Sequence, residues 1–230
     1  DTASRLLQHS NILVMNGRAL ARDVHAAVGA TPVVENDANC FAMAEASRGA
    51  GVGKRLVLGI VLGTGCGGGI VHDRRLHTGP HGTAGEWGHV QLDPNGPDCY
   101  CGKRGCIERY VSGTALSQAY QRSFGEIISS EMLIQRSRAG DQKAGSILRS
   151  FLEAFGKALA GVLTILDPDI VVIGGGLSNI SELYAEGVNH VRANMLNHEL
   201  KTPIVANQLG DSAGALGAAA LAAAEAVDRG

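Results

Sequence analysis

Three cysteines fall in the stretch CYCGKRGC, residues 99–106, of a chain that has five, and His89 lies shortly upstream. Together His89, Cys99, Cys101 and Cys106 form H-x9-C-x-C-x4-C, one imidazole and three thiolates of the borderline-soft kind that suits tetrahedral zinc. Glycines at 96, 102 and 105 permit the tight turns that let closely spaced sulfurs face one ion. Four protein donors leave no coordination position for water, so the ion expected here is structural and not hydrolytic. A disulfide is disfavoured, because three thiols leave one unpaired and a reducing compartment opposes the bond. Cys40 and Cys66 stand apart and read as small apolar fillers.

Two kinds of group beside this cluster could do further chemistry. Transfer of a phosphoryl group to a hydroxyl needs a carboxylate that orients the hydroxyl and takes its proton; Asp37, in Glu35-Asn36-Asp37-Ala38-Asn39, is the candidate. An equally good reading makes Asp37 or Asn36 the cap of the helix that follows, and the two roles are compatible. Glu86 and Glu108 flank the metal donors in sequence. A cross-linked loop would hold such acceptors steadily around a ligand with several donors, although Glu108 also fits a solvated carboxylate in a first helical turn. Gly63-Thr64-Gly65 follows an apolar run and could cradle phosphate oxygens or simply close a hairpin. Gly174-Gly175-Gly176 has the shape of a nucleotide-facing turn without the spacing of the dinucleotide fingerprint, which excludes NAD. Trp87 and Tyr100, inside the cysteine region, read as packing residues in preference to sugar-stacking ones.

The elements that must position these groups alternate between strand and helix, which argues for an α/β protein. Residues 32–34 read as a short buried strand, and 37–48 as a helix ended by Gly49. Residues 56–62 and 69–71 read as strands around the glycine-dense turn GTGCGGG. Residues 78–106 lack periodicity, and so long an irregular stretch is usually functional. Ile147, Phe151, Phe155, Leu159, Val162 and Leu166 give one apolar helical face, stopped by Asp167-Pro168. Residues 170–173 then read as a buried strand, Ser178 and Asn179 as caps of a helix over 181–196, 204–206 as a strand, and the alanine-rich end as a closing helix.

Formal net charge is −2 with both signs interspersed, so the chain lacks the footprint of a nucleic-acid or anionic-membrane binder. No apolar run reaches membrane-spanning length, and a cytoplasmic protein with small-molecule partners is expected.

The run GTAGEWGH, residues 82–89, followed by CYCGKRGCIE, residues 99–108, resembles the signature of the ROK family of sugar kinases and sugar-responsive repressors. The likeness extends from ENDAN through GGGLS to GDSAGALGAA, and its wording is most similar to bacterial fructokinases, with N-acetylglucosamine kinases next. The resemblance implies the actin-like, ribonuclease H-like two-lobed fold, with residues 1–52 a remnant of the smaller lobe, 53–211 the larger lobe and 212–230 a helix returning to the smaller one. It implies ATP-dependent phosphorylation of a hexose, fructose first and N-acetylglucosamine or glucose as alternatives, in a homodimer. Asp37 becomes the catalytic base; Asn36, Glu86, His89 and Glu108 become sugar ligands, with His89 holding zinc on one ring nitrogen and a sugar hydroxyl on the other. Gly63, Thr64 and Gly65 face the phosphates of Mg-ATP, and Gly174, Gly175 and Gly176 border adenosine. The family's Asp-x-Gly-Gly-Thr motif does not occur in this sequence, and most of the smaller lobe is expected to be absent. The rival expectation is a repressor or sugar-binding module without turnover; a zinc hydrolase is disfavoured by the closed donor set.

Overall fold

The computed structural model describes residues 6–7, 13–30 and 32–228. Its centre is a five-stranded sheet built from β1 (Leu56–Leu62), β2 (Cys66–His72), β3 (Arg75–Leu76), β4 (Ile170–Gly174) and β5 (Ile204–Ala206), in the order β3-β2-β1-β4-β5. β1 and β2 form an antiparallel hairpin, while β4 and β5 run parallel to β1. Strand alternation sorts the side chains into two cores. Leu58, Ile60, Leu62, Val171 and Ile173 point to one face, whereas Val57, Ile170 and Val172 point to the other.

The first face is covered by α3 (Gly113–Phe124), α4 (Ser130–Arg138), the long α5 (Gln142–Leu166) and α6 (Val188–Asn194). Phe151, Phe155 and Leu159 of the expected apolar stripe are buried against the sheet, and Ile147, Val162 and Leu166 pack at its margin. Asp141 caps α5 by accepting the Lys143 and Ala144 N–H groups at 2.8 and 3.2 Å. Asp167 ends it in the left-handed conformation, φ 45°, just before Pro168.

The second face is covered by α2 (Asp37–Arg48), backed by α7 (Ala213–Asp228). Both contacts are made through glycine. A Cβ on Gly59 of β1 would lie 2.7 Å from the Ala42 methyl, and one on Gly217 of α7 would lie 1.7 Å from the Cys40 carbonyl oxygen. The expected division of the chain at residues 52 and 211 does not coincide with a break in packing, since α2, α7 and the sheet share one core. Part of the segment 1–52 lies outside the described residues; α1 (Leu20–Val28), unanticipated from the sequence, is an exposed helix within it.

Three local readings are corrected. Residues 32–34 are not a strand: they pair with nothing among the described residues, and Val34 is 47% exposed. β2 begins at Cys66, so Gly67 and Gly68 are strand residues and not part of a turn, ahead of Gly69, which stands in the strand as expected. They are small because α2 and the Trp87 loop press on them: a Cβ on Gly69 would sit 2.7 Å from Asn39 Oδ1, and one on Gly68 would sit 2.9 Å from the Trp87 ring. Finally, Ser178 does not cap the following helix. Its hydroxyl donates to Asn207 Oδ1 at 3.3 Å, tying the end of β4 to the end of β5. The helix over 181–194 instead starts after Ile180 and contains a wide π turn at Leu183–Gly187.

Candidate functional site

The cysteine loop is a small hydrogen-bonded frame. Val90 and Ile107, Leu92 and Gly105, and Cys99 and Lys103 are joined through their backbones at 2.7–2.9 Å. Gly105, φ 61°, lies so close to Asp93 that a Cβ would fall 1.6 Å from its carbonyl oxygen, so no other residue fits this turn. The frame gathers His89, Cys99, Cys101 and Cys106 with their donor atoms all within 4.8 Å of one another. Cys99 Sγ is 3.6 Å from His89 Nδ1, and Cys101 Sγ is 3.6 Å from Cys106 Sγ. A tetrahedral zinc with bonds of about 2.0–2.3 Å sets its donors about 3.5–3.8 Å apart; these two separations match that spacing, and the four side chains are near enough to take such an ion with small adjustments. Trp87 is buried beneath the loop and donates its indole N–H to Gly67 O at 2.9 Å, fixing the loop to β2.

The other nitrogen of His89, Nε2, lies 3.0 Å from the Tyr100 hydroxyl, with the two rings edge to face. Burial, reinforced by the Glu108 and Glu86 charges, pushes the Tyr100 phenol up to about 12, so it keeps its proton at neutral pH.

The start of α2 is organised by amides and carboxylates. Asn36 is the N-cap: its Oδ1 accepts the Asn39 N–H at 2.7 Å. Its Nδ2 donates to Glu86 Oε1 at 2.8 Å, which joins the helix start to the cysteine loop. Glu35 Oε1 accepts from Asn36 N and Asn39 Nδ2, both at 2.9 Å. With the capping done by its neighbour, Asp37 is left exposed on the first turn, where the helix N-terminus favours its charge. Burial raises the proton affinity of Glu86 above the usual carboxylate range, against the lowering influence of His89 and of the Asn36 hydrogen bond. Glu108 sits at the loop's far end and accepts the Cys66 N–H at 3.0 Å, holding the Gly63–Gly65 turn beside it.

Asp37 lines one of two cavities and the Gly63-Thr64 turn lines the other, whereas Asn36, Glu86, His89 and Glu108 line neither. One, of about 380 Å³, is lined by Asp37, Phe41, Gly175, Gly176, Asn207 and Asp211, among others. The second, of about 580 Å³, lies between Gly63-Thr64, Gly176-Leu177, the start of α3 and the start of α4. Two capped helix N-termini thus face it, with Ser112 and Ser129 as their caps, an arrangement that attracts anions. The polar lining Thr114, Ser117, Gln118, Gln121 and Glu131 escaped the sequence reading; Ser112 and Ser129 as caps, with Gly125 ending α3, were the available signals.

The two glycine turns divide their labour unequally. Gly174 is closed off by the Phe41 ring, and Gly175, φ 81°, by the Leu62 carbonyl, whereas Gly176 has open space where a side chain would go and borders both cavities. Gly63 is likewise open, while Gly65 lies against Glu108. Cys40 and Cys66 are buried, in keeping with their reading as fillers.

Residues 1–225 match the model of the ROK family. The N-acetyl-D-glucosamine kinase of Pasteurella multocida (strain Pm70) is 37% identical over 232 residues, covering 96% of this chain and 76% of that protein. Among solved structures, the ROK hexokinase of Thermus thermophilus superposes with a TM-score of 0.86 at 35% identity, covering 93% of this chain and 72% of that one. A ROK family glucokinase of Streptomyces griseus, in complex with glucose and AMPPNP, gives a TM-score of 0.79 at 33% identity, covering 90% and 73%. The sheet with its paired helical layers, the ENDAN helix start and the gathered cysteine loop agree with this likeness, and the chain belongs to the ROK family, with the actin-like fold of its sugar kinases.

Proposed function

We propose that the chain transfers a phosphoryl group from ATP to a hydroxyl of a hexose, with N-acetyl-D-glucosamine the preferred acceptor. The observation that carries this reading is the 2.8 Å bond between Asn36 and Glu86. It brings the candidate base, on α2, to the same place as the carboxylates and imidazole of the cysteine loop. The resemblance put fructose first. The relative from Pasteurella multocida, named an N-acetyl-D-glucosamine kinase, moves that sugar ahead of it.

In this reading Asn36, Glu86, His89 and Glu108 hold the sugar hydroxyls, and Asp37 orients one of them and accepts its proton as the bond to phosphorus forms. His89, Cys99, Cys101 and Cys106 would hold zinc, whose contribution is to fix the loop geometry. The ATP phosphates lie toward Gly63-Thr64-Gly65 and the adenosine in the larger cavity beside Gly176. Magnesium, when bound with ATP, neutralises charge on the phosphates. A smaller lobe closing over the site excludes water from the transfer. A cytoplasmic homodimer completes the proposal, carried by the family resemblance alone. No helix among the described residues is long and apolar enough to cross a membrane.

A coupled ADP-release assay over N-acetylglucosamine, glucose, mannose and fructose tests the function. The highest kcat/KM is expected for N-acetylglucosamine. A preference for fructose would overturn the choice of sugar, and binding of sugar without ADP release would replace the kinase by a sugar-sensing module. The metal has its own test. Stripping the protein with a chelator should weaken sugar binding by about 10–100-fold, with recovery on adding zinc. Unchanged affinity in the metal-free protein would show that the loop's hydrogen bonds suffice.

A further inference from the structure

Tyr100 stands between two of the metal donors, Cys99 and Cys101, so its backbone is pinned while its side chain is 65% exposed. Its hydroxyl is 3.0 Å from His89 Nε2, with ring centres 5.1 Å apart and planes nearly perpendicular. The direction of that bond follows from the far side of the ring. His89 Nδ1 faces the thiols; an imidazole that gives Nδ1 to a metal carries its proton on Nε2. His89 therefore donates, and the Tyr100 oxygen accepts.

A sugar hydroxyl meeting His89 would accept that same single N–H, and the imidazole has no second one to offer. We infer that Tyr100 is a stand-in for substrate: its hydroxyl occupies the sugar's place on His89 while the site is empty and must swing into solvent before a sugar can bind. The inference rests on the sugar-kinase reading and names a residue that tunes its affinity. The residue is 65% exposed, and its ring meets that of His89 nearly at right angles. The exchange replaces one neutral acceptor by another, so the bond to Tyr100 lowers apparent affinity by the fraction of molecules in which it is made. A net hydrogen bond of ordinary strength makes that factor about fivefold.

Sugar affinity measured by calorimetry without nucleotide, on zinc-loaded wild type, Tyr100→Phe and Tyr100→Ala, decides the matter, with N-acetylglucosamine, glucose, mannose and fructose as probes. Tyr100→Phe keeps the ring and removes only the acceptor. It should bind the preferred sugar about fivefold more tightly, with KM lowered in step and kcat within about twofold of wild type. Tyr100→Ala should bind at least as tightly as Tyr100→Phe. Sugar binding by wild type with equal or weaker binding by Tyr100→Phe overturns the stand-in role and leaves the kinase reading intact. Binding of none of the probes by any of the three proteins overturns the sugar-kinase reading and this inference with it.

Discussion

Replacing Asp37 by Asn is expected to lower kcat by about 10²–10⁴-fold, the usual contribution of a positioned general base, while sugar affinity changes by no more than a few-fold. The geometry allows so clean a separation. Asn36 supplies the cap of α2 through its Oδ1, so the substitution leaves the helix start in place. Asp37 Oδ1 accepts the N–H of Ala38 at 2.9 Å, and an asparagine side-chain oxygen can keep that bond. What disappears is the negative oxygen in the smaller cavity, needed only as the hydroxyl loses its proton. Steady-state kinetics beside calorimetric sugar binding would check this. A variant that turns over at the wild-type rate removes Asp37 from the base role, and one that loses sugar binding in parallel makes it a binding residue.

A second large effect is expected at Glu45, a carboxylate with no exposed surface in the middle of α2. Its two oxygens accept the backbone N–H groups of Ala50 at 2.9 Å, Gln208 at 3.1 Å and Leu209 at 3.0 Å. It thereby ties the end of α2 and the strand-to-helix connection before α7 to one point. Gly49 makes room for it, since a Cβ there would lie 2.0 Å from Glu45 Oε2. Glu45→Ala leaves three donors without their partner, at about 1–3 kcal/mol for each one that water cannot reach. Partial hydration brings the expected loss of stability to about 3–5 kcal/mol. Glu45→Gln should lose less, because its side-chain oxygen can keep the Gln208 and Leu209 N–H bonds while its N–H₂ faces the Ala50 donor, where an acceptor is required. Urea unfolding measures both, and a Glu45→Ala unfolding free energy within about 1 kcal/mol of wild type would show that water takes over the carboxylate's bonds at little cost.

The parts of the fold legible from sequence were those whose own periodicity decides their state. β1 and α2 match their expected bounds because an unbroken apolar run in one case, and a cap, a small-residue helix and a terminal glycine in the other, admit no competing reading. The clustering of His89, Cys99, Cys101 and Cys106 was legible for a related reason: their spacing is local, and the turns that join them need only glycine. Where neighbours decide, the sequence was mute. Gly67 and Gly68 look like a turn until α2 and Trp87 are seen to press on them. Ser178 looks like a cap until Asn207, distant in sequence, takes its hydroxyl. The Tyr100 contact with His89 depends on where a loop returns in space, which no spacing encodes. Glu45 passed unremarked as one more polar residue in a helix, because its three partners include two from the other end of the chain.

The glycine contacts on both sides of α2 carry one more implication for catalysis. The Ala42 methyl meets bare backbone in the sheet and the Cys40 carbonyl meets bare backbone in α7, so neither contact leaves room for a side chain. Asp37, at the start of this helix, is thereby carried on a closely fitted element. Adding a single methyl at position 59 or 217 would displace that element, and chemistry would suffer from a change well away from any reacting atom.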